Sequence, residues 1–280
     1  EKYSAHNVLL GTHGTFEACP TFPDLSRRGN PDHRILAIGH WGTYKRLETL
    51  MEAFPAVLRR VPTARLLIAG ANHHTKPGYW ESIRDKYGEN PRIEFRGYAA
   101  EENLPELFGT ASIVVLPYNS ATGSSGPAHQ ACEYGVPIVS ADIPDFRDMA
   151  ANEDMAVSFY RTGDPVDLAA QLIGLLESPR DQRQAAEQNY WAAIRMTMPH
   201  VVRHYLRWFE LGRRKQLLSK STGLPFIRRR ERLFPMHSML HSRLWDHSEG
   251  DSTRENRRFQ EAQSPSAGLT PEAPLTEDGP

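Results

Sequence analysis

An α/β fold built on a doubly wound parallel sheet is what this sequence predicts, on three observations. Short apolar runs recur from Arg34 onward without polar alternation, as strands buried on both faces require. A segment with helical periodicity follows most of them, so the connections read as right-handed βαβ crossovers. Several turns that leave the runs are rich in Gly, Ser and other polar residues, and ligands in such sheets bind outside the carboxyl ends of the strands.

The elements follow in order. "RILAIG" (34–39) reads as a strand, and "KRLETLMEAFPAVLRRV" (45–61) as a helix with Leu47, Leu50, Met51, Phe54 and Leu58 on one stripe. Pro55 inside that stripe predicts a kink or a split, because it removes one helical hydrogen bond. Then come "ARLLIAG" (64–70, strand), "YWESIRDKYG" (79–88, helix), "RIEFRG" (92–97, strand), "EENLPELFGTA" (101–111, helix) and "SIVVLP" (112–117, strand). A Ser/Gly loop leads to "PAHQACEYG" (127–135, helix), "PIVSA" (137–141, strand), "MAVSFY" (155–160, strand) and "DPVDLAAQLIGLLES" (164–178, helix). Residues 179–211 read as helical and aromatic-rich, the pattern dissolves beyond Gly212, and 246–280 has the composition of a disordered segment.

Composition narrows the function classes. With 280 residues, 39% of them hydrophobic, the chain can bury one substantial core and part of a second. A net charge of −1 lacks the overall positive field of a dedicated nucleic-acid binder. Cys19 and Cys132 lie far apart with no CxxC spacing, which fits a reduced, cytoplasmic protein. No apolar run approaches the roughly 18 residues that span a bilayer. The start "EKYSAHNVLL" has neither Met nor a signal-peptide layout, which suggests the remainder of a longer chain.

Two loops carry the chemistry. "ATGSSGPA" puts small residues between a strand and a helix that begins at Pro127, where a missing N–H costs nothing. Thr122, Gly123, Ser124, Ser125 and Gly126 would let a ligand approach free amides at a helix start, a diphosphate cradle. Gly/Ser turns at helix starts are also common without any ligand. With no Gly-Lys-Ser/Thr following, the loop is not a Walker loop. In "AIGHWGTYKRLETL", Gly39 and Gly42 follow the first strand and Lys45 stands at the start of the next helix. Both loops should open on the same sheet edge, where Lys45 could neutralise a phosphate held by the second.

With those residues in view, the order of "ILAIGHWGTYKRLETLMEAFPAVLRRVPTARLLIAG", "RIEFRGYAAEENLPELFGTASIVVLPY" and "ACEYGVPIVSADIPDF" resembles the C-terminal, donor-binding half of the family-4 retaining glycosyltransferases of GT-B fold. "NVLLGTHGTFEACP" looks like the interdomain segment, with His13-Gly14 matching, and the helices after 185 look like the terminal crossover helices. The resemblance, which runs from about residue 8 to about 210, implies an interdomain segment over 1–32, a Rossmann-like nucleotide-sugar-binding domain over 33–184 and crossover helices over 185–211; composition reads 212–280 as a basic then polar tail, largely disordered. It also implies that the N-terminal, acceptor-binding half is absent and that this chain alone is inactive. The implied reaction transfers a sugar with retention from a UDP- or GDP-linked donor, the only co-substrate, to a glycan or lipid-linked glycan. Neither a metal nor another cofactor is implied.

Two departures mark this sequence. His40 stands where the family carries an arginine beside the lysine at Lys45, and an imidazole is partly protonated and cannot offer a fork. The family's paired glutamates fall, counting back from Gly135 and Pro137, on Thr122 and Gln130. Gln130 can still hydrogen-bond a ribose hydroxyl, Thr122 offers a short neutral hydroxyl, and Glu133 is out of register. The implied front-face chemistry needs phosphate stabilisation and positioning more than a protein nucleophile, so activity of the intact protein is the expectation. The alternative is a non-catalytic GT-B module that binds a nucleotide or partner without turnover. A GT-B epimerase or phosphorylase stands third.

The other candidates are weaker. Asn72, His73 and His74 follow a strand on the ligand edge, with loop surface the favoured reading for the histidines. Arg96, Gly97 and Tyr98 end a strand where the resemblance places the nucleobase. Trp41, Trp80 and Trp191 read as packing residues. His200 and His204 have i, i+4 spacing but no HExxH glutamate or third ligand. The basic segment 213–232 reads first as solvated, second as a peripheral contact with an anionic inner membrane face, and last as an RNA contact.

Overall fold

The structure is a computed structural model that describes residues 11–16, 20–25, 33–120 and 123–222. Thr122, Cys19 and the polar 246–280 stretch lie outside the described residues.

Six parallel strands form one sheet in the order β3-β2-β1-β4-β5-β6. They are β1 (Arg34–Trp41), β2 (Arg65–Asn72), β3 (Ile93–Phe95), β4 (Ile113–Leu116), β5 (Ile138–Ala141) and β6 (Val157–Tyr160). The helices are α1 (Glu48–Arg60), α2 (Tyr79–Tyr87), α3 (Leu104–Gly109), α4 (Gly126–Glu133), α5 (Pro144–Glu153), α6 (Pro165–Glu177), α7 (Pro179–Arg195) and α8 (Met198–Thr222). Strand order reverses between β1 and β4, which are hydrogen-bonded neighbours. That switch point is where a doubly wound sheet leaves its ligand crevice.

The residues explain the layers. Ile35, Leu36, Ala37, Val114, Val115 and Val139 are fully buried because helices cover both faces of the central strands. α1 packs against α6, and α4 against α7. α1 buries Leu50, Met51 and Phe54 of its predicted stripe, with Val57 buried beside them and Leu58 half-buried, and runs unbroken through Pro55, which stands on its exposed side. α6 starts where Asp164 accepts from the Val166 and Asp167 amides at 2.9 and 3.0 Å, with Pro165 in its first turn.

Three expectations change. α5 (Pro144–Glu153) is an additional helix, with Phe146, Met149 and Ala150 as its inner face. The 101–111 segment is a 3-10 turn, Glu101–Asn103, followed by the short α3. α8 runs through Gly212 to Thr222, so the first eleven residues of the expected tail (212–222) are helical. Ten residues of the basic 213–232 segment (213–222) are thus helical, and the rest of it lies outside the described residues.

Candidate functional site

The two loops expected to share a sheet edge are hydrogen-bonded to each other. Lys45 and Tyr118 form an antiparallel bridge, in which the Arg46 N–H donates to the Pro117 carbonyl at 3.2 Å and the Asn119 N–H to the Tyr44 carbonyl at 2.9 Å. The first loop turns at Gly42, whose N–H donates to the Lys45 carbonyl at 3.0 Å. Its φ of 108° suits glycine, and a Cβ there would press on Lys76 and Tyr79. Lys45 therefore lies in an extended bridge, not in the first turn of α1 as the sequence suggested. Its ammonium stands 5.0 Å from the Tyr118 ring centre and 5.9 Å from that of Tyr44. A Cβ on Gly39 would come 3.6 Å from the same ammonium, so this glycine leaves room for the lysine to lie along β1.

Burial lowers the Lys45 pKa. No carboxylate among the described residues is within ion-pair distance of it, whereas the neighbouring Arg46 is held by Glu48 at 2.6 Å. A half-buried cation over two aromatic faces, with no internal anion, is set up to receive one from outside. In the same turn the buried Thr43 hydroxyl has no hydrogen-bond partner.

The Tyr118 hydroxyl lies 3.4 Å from the Ser125 hydroxyl, which links the lysine to the start of α4. Ser125 is the N-cap residue and is buried. The Ala128 and His129 amides donate to its carbonyl at 3.1 and 3.2 Å, and Pro127 has no N–H. The amides of Ser124, Ser125 and Gly126 donate to no partner among the described residues, leaving three donors at the positive end of the helix. Gly123, at φ 72°, is different: its amide donates to the Asp145 carboxylate at 2.7 Å, so the α5 start braces the loop.

Behind the cradle is a buried polar cluster that sequence reasoning missed. His129 is inaccessible; its Nδ1 lies 2.8 Å from the Ser125 carbonyl and its Nε2 2.9 Å from Glu153 Oε2, close enough for an ion pair though not aligned as a hydrogen bond. Burial alone would lower its pKa, but Glu153, the Ser125 carbonyl and Glu133 together raise it. The His13 ring packs 5.0 Å from the His129 ring, and Glu133 accepts the Phe16 amide. Glu133 thus ties the 13–16 segment to α4 from a buried position, consistent with its faulty register for a ligand. Gln130 sits half-buried one turn after Gly126 on the same helix face.

The remaining candidates separate. His40 is exposed at the end of β1, and His40, His74 and Lys45 stand near enough to His73 to help depress its pKa, after the contribution of desolvation. These four cationic or titratable groups share the carboxyl edge. Asn72 takes a structural part: its Oδ1 accepts the Trp80 amide at 2.7 Å and its Nδ2 donates to Glu81 at 2.6 Å, capping α2. Arg96 is held by Glu94 at 2.7 Å and by Glu106 at 3.5 Å. The Gly97 carbonyl accepts the Gly70 amide at 2.9 Å, and Tyr98 is 75% exposed, a free platform at the end of β3. Trp41 and Trp80 are core residues as expected, with the Trp41 indole donating to the Ala69 carbonyl at 3.0 Å; Trp191 is instead 49% exposed. Among the described residues no three His, Cys, Asp or Glu side chains group as metal ligands, and no helix is long and apolar enough to cross a membrane.

Comparison with known proteins agrees with this architecture. Residues 32–178 match the family "Glycosyl transferases group 1". The chain is 25% identical over 180 residues to a GDP-mannose:cellobiosyl-diphosphopolyprenol alpha-mannosyltransferase of Xanthomonas oryzae pv. oryzae, covering 63% of this chain and 46% of that protein. Over 88 residues it is 30% identical to mannosylfructose-phosphate synthase of Agrobacterium fabrum, covering 29% of this chain and 19% of the other. It therefore spans less than half the length of these curated relatives. Among solved structures, Anabaena HepE in complex with UDP and glucose superposes with a TM-score of 0.57 at 15% identity over 70% of this chain and 54% of HepE. An S. aureus TarM variant solved with fondaparinux, alpha-GlcNAc-glycerol and UDP gives 0.58 at 15% identity over 74% and 40% of the two chains. Those structural likenesses establish the fold alone, and together with the family match they show that the chain belongs to the group 1 glycosyl transferases.

Proposed function

We propose that this chain is the donor-binding part of a retaining glycosyltransferase that takes a sugar from a nucleoside diphosphate sugar. The observation that carries the reading is Lys45: a half-buried cation with no carboxylate partner among the described residues, joined through the Tyr118 bridge to a helix start where three amides donate to none of those residues. In the proposed complex the diphosphate lies between the Lys45 ammonium and the Ser124–Gly126 amides, and Gln130 faces the ribose. As the bond from the anomeric carbon to the phosphate oxygen breaks, negative charge grows on the leaving diphosphate, where the ammonium and the helix dipole stabilise it. The acceptor oxygen forms its bond on the same face, and its proton passes to the leaving phosphate oxygen. Protein carboxylates are not needed for that proton transfer, which agrees with Thr122 and Gln130 standing where the resemblance expects acids. The reading includes no metal, and places the acceptor site on a domain outside this chain. It also places the protein in the cytoplasm, against the inner membrane face when the acceptor is lipid-linked.

Calorimetric titration with UDP and GDP tests the reading. Micromolar binding of one nucleotide, lost in Lys45→Ala, supports it; a folded chain that binds neither defeats it. A second reading, a nucleotide-binding module without turnover, draws on the Asp145 carboxylate that already occupies the Gly123 amide. Binding by the intact protein with no transfer to any acceptor favours that alternative.

A further inference from the structure

At the opposite, amino edge of the sheet, three arginines stand at the start of three neighbouring strands. Arg34 and Arg65 are register partners in β1 and β2. Leu66 pairs with Ile93, and its amide donates to the Arg92 carbonyl at 2.8 Å, which sets Arg92 level with Arg65. In-register residues of parallel strands share a face, and adjacent strands lie about 5 Å apart, so the three side chains form a row. All three line one open depression, together with Leu66, Leu67 and Glu94.

Among the described residues no carboxylate pairs with the row. Glu94, the only carboxylate among the described residues of that lining, is paired with Arg96 at 2.7 Å. The Arg34 guanidinium donates to the Thr110 hydroxyl at 2.8 Å, which orients it without supplying negative charge. Arg34, Arg65 and Arg92 have no ion-pair partner among the described residues, whereas Arg46, Arg60, Arg84 and Arg96 each have a carboxylate. Like charges placed across adjacent strands repel, and a concave surface concentrates their field. Guanidinium forks match the oxygens of a phosphate group in geometry as well as charge.

We propose that Arg34, Arg65 and Arg92 form a second oxyanion site, for a phosphate or pyrophosphate group, at the end of the strands remote from Lys45. The site is independent of the sugar-transfer reading, since the residues and the sheet edge are different.

The test starts from the full chain carrying Lys45→Ala, so that the carboxyl-edge cation is removed. Pyrophosphate is titrated into it and into a second chain that adds Arg65→Gln and Arg92→Gln, with thermal melting and calorimetry as readouts. The first chain should gain several degrees in Tm with pyrophosphate, an effect that added salt weakens. The second should melt higher without ligand, because repulsion is relieved, and should lose the pyrophosphate shift. Co-sedimentation with vesicles of phosphatidic acid and phosphatidylcholine distinguishes a lipid phosphate from a free one: vesicle binding lost in the second chain, without a pyrophosphate shift in the first, assigns the group to a headgroup. An equal response of both chains, or no response of the first to either probe, overturns the proposal.

Discussion

The two edges of one sheet hold positive charge in opposite ways. At the carboxyl edge Lys45 lies half-buried against Tyr44 and Tyr118, its pKa lowered by desolvation, beside amides that come from a helix start. At the amino edge Arg34, Arg65 and Arg92 stand in register, Arg65 exposed and the other two half-buried, each presenting a guanidinium fork. The first arrangement is made by loops that reach each other across the switch point; the second follows from strand register alone. Desolvation makes a single lysine sensitive to one ligand, whereas an arginine row acts through summed field and weakens with salt.

The largest effect that would break this contrast is backbone failure under both edges. Gly70, at φ 118°, has the Gly39 carbonyl oxygen where a Cβ would go, so Gly70→Val should cost about 4 kcal/mol or prevent folding. Urea unfolding checks it, and a near-native midpoint would refute the close β1–β2 approach. Next, Lys45→Ala should weaken UDP or GDP binding by about 2 kcal/mol, a charge-assisted contact, while leaving the melting temperature unchanged or raised. Substitutions in the arginine row should leave that nucleotide affinity within error.

A pH effect separates the buried cluster from both edges. The raised pKa of His129 makes its pairing with Glu153 stabilising in full below the unfolded value of 6.5, and that contribution is lost as pH rises through the folded value. Melting temperature against pH should therefore fall on the alkaline side of 6.5 in the parent chain, and Glu153→Gln should flatten that slope. A slope unchanged by Glu153→Gln would remove the pair from the account. The smallest effect concerns Asp145: Asp145→Asn keeps an acceptor for Gly123 but removes a negative charge beside the cradle, and should tighten nucleotide binding by about 0.5 kcal/mol, read by calorimetry.

Much of this was legible in the sequence because its signals are local. The apolar runs of β1, β2, β4 and β5 marked buried strands, Pro127 and Asp164 marked helix starts, and the small residues at 123–126 marked the turn that leads into α4. What stayed hidden depends on partners distant in sequence. Lys45 looked like a first-turn residue because nothing local reveals that it bridges to Tyr118. Asn72 looked like a ligand contact because its partners, Trp80 and Glu81, come together with it only when α2 folds over β2. α5 has just three buried apolar residues among polar ones, too sparse a stripe to distinguish it from a loop. α8 continued past Gly212 because a single glycine costs a helix only about 1 kcal/mol.

The Lys45–Tyr118 bridge has a consequence for how this protein can be altered. Two surface loops that each looked free to vary are one hydrogen-bonded unit, with both of their backbones counted residue against residue. Surface loops ordinarily tolerate insertion well. Here a residue added between Gly42 and Arg46 would shift the ammonium off the Tyr118 ring, and one added between Pro117 and Asn119 would do the same from the other side. Length changes at this edge are therefore viable only when both loops change together, so a donor site grafted from a relative has to be moved as a pair of segments.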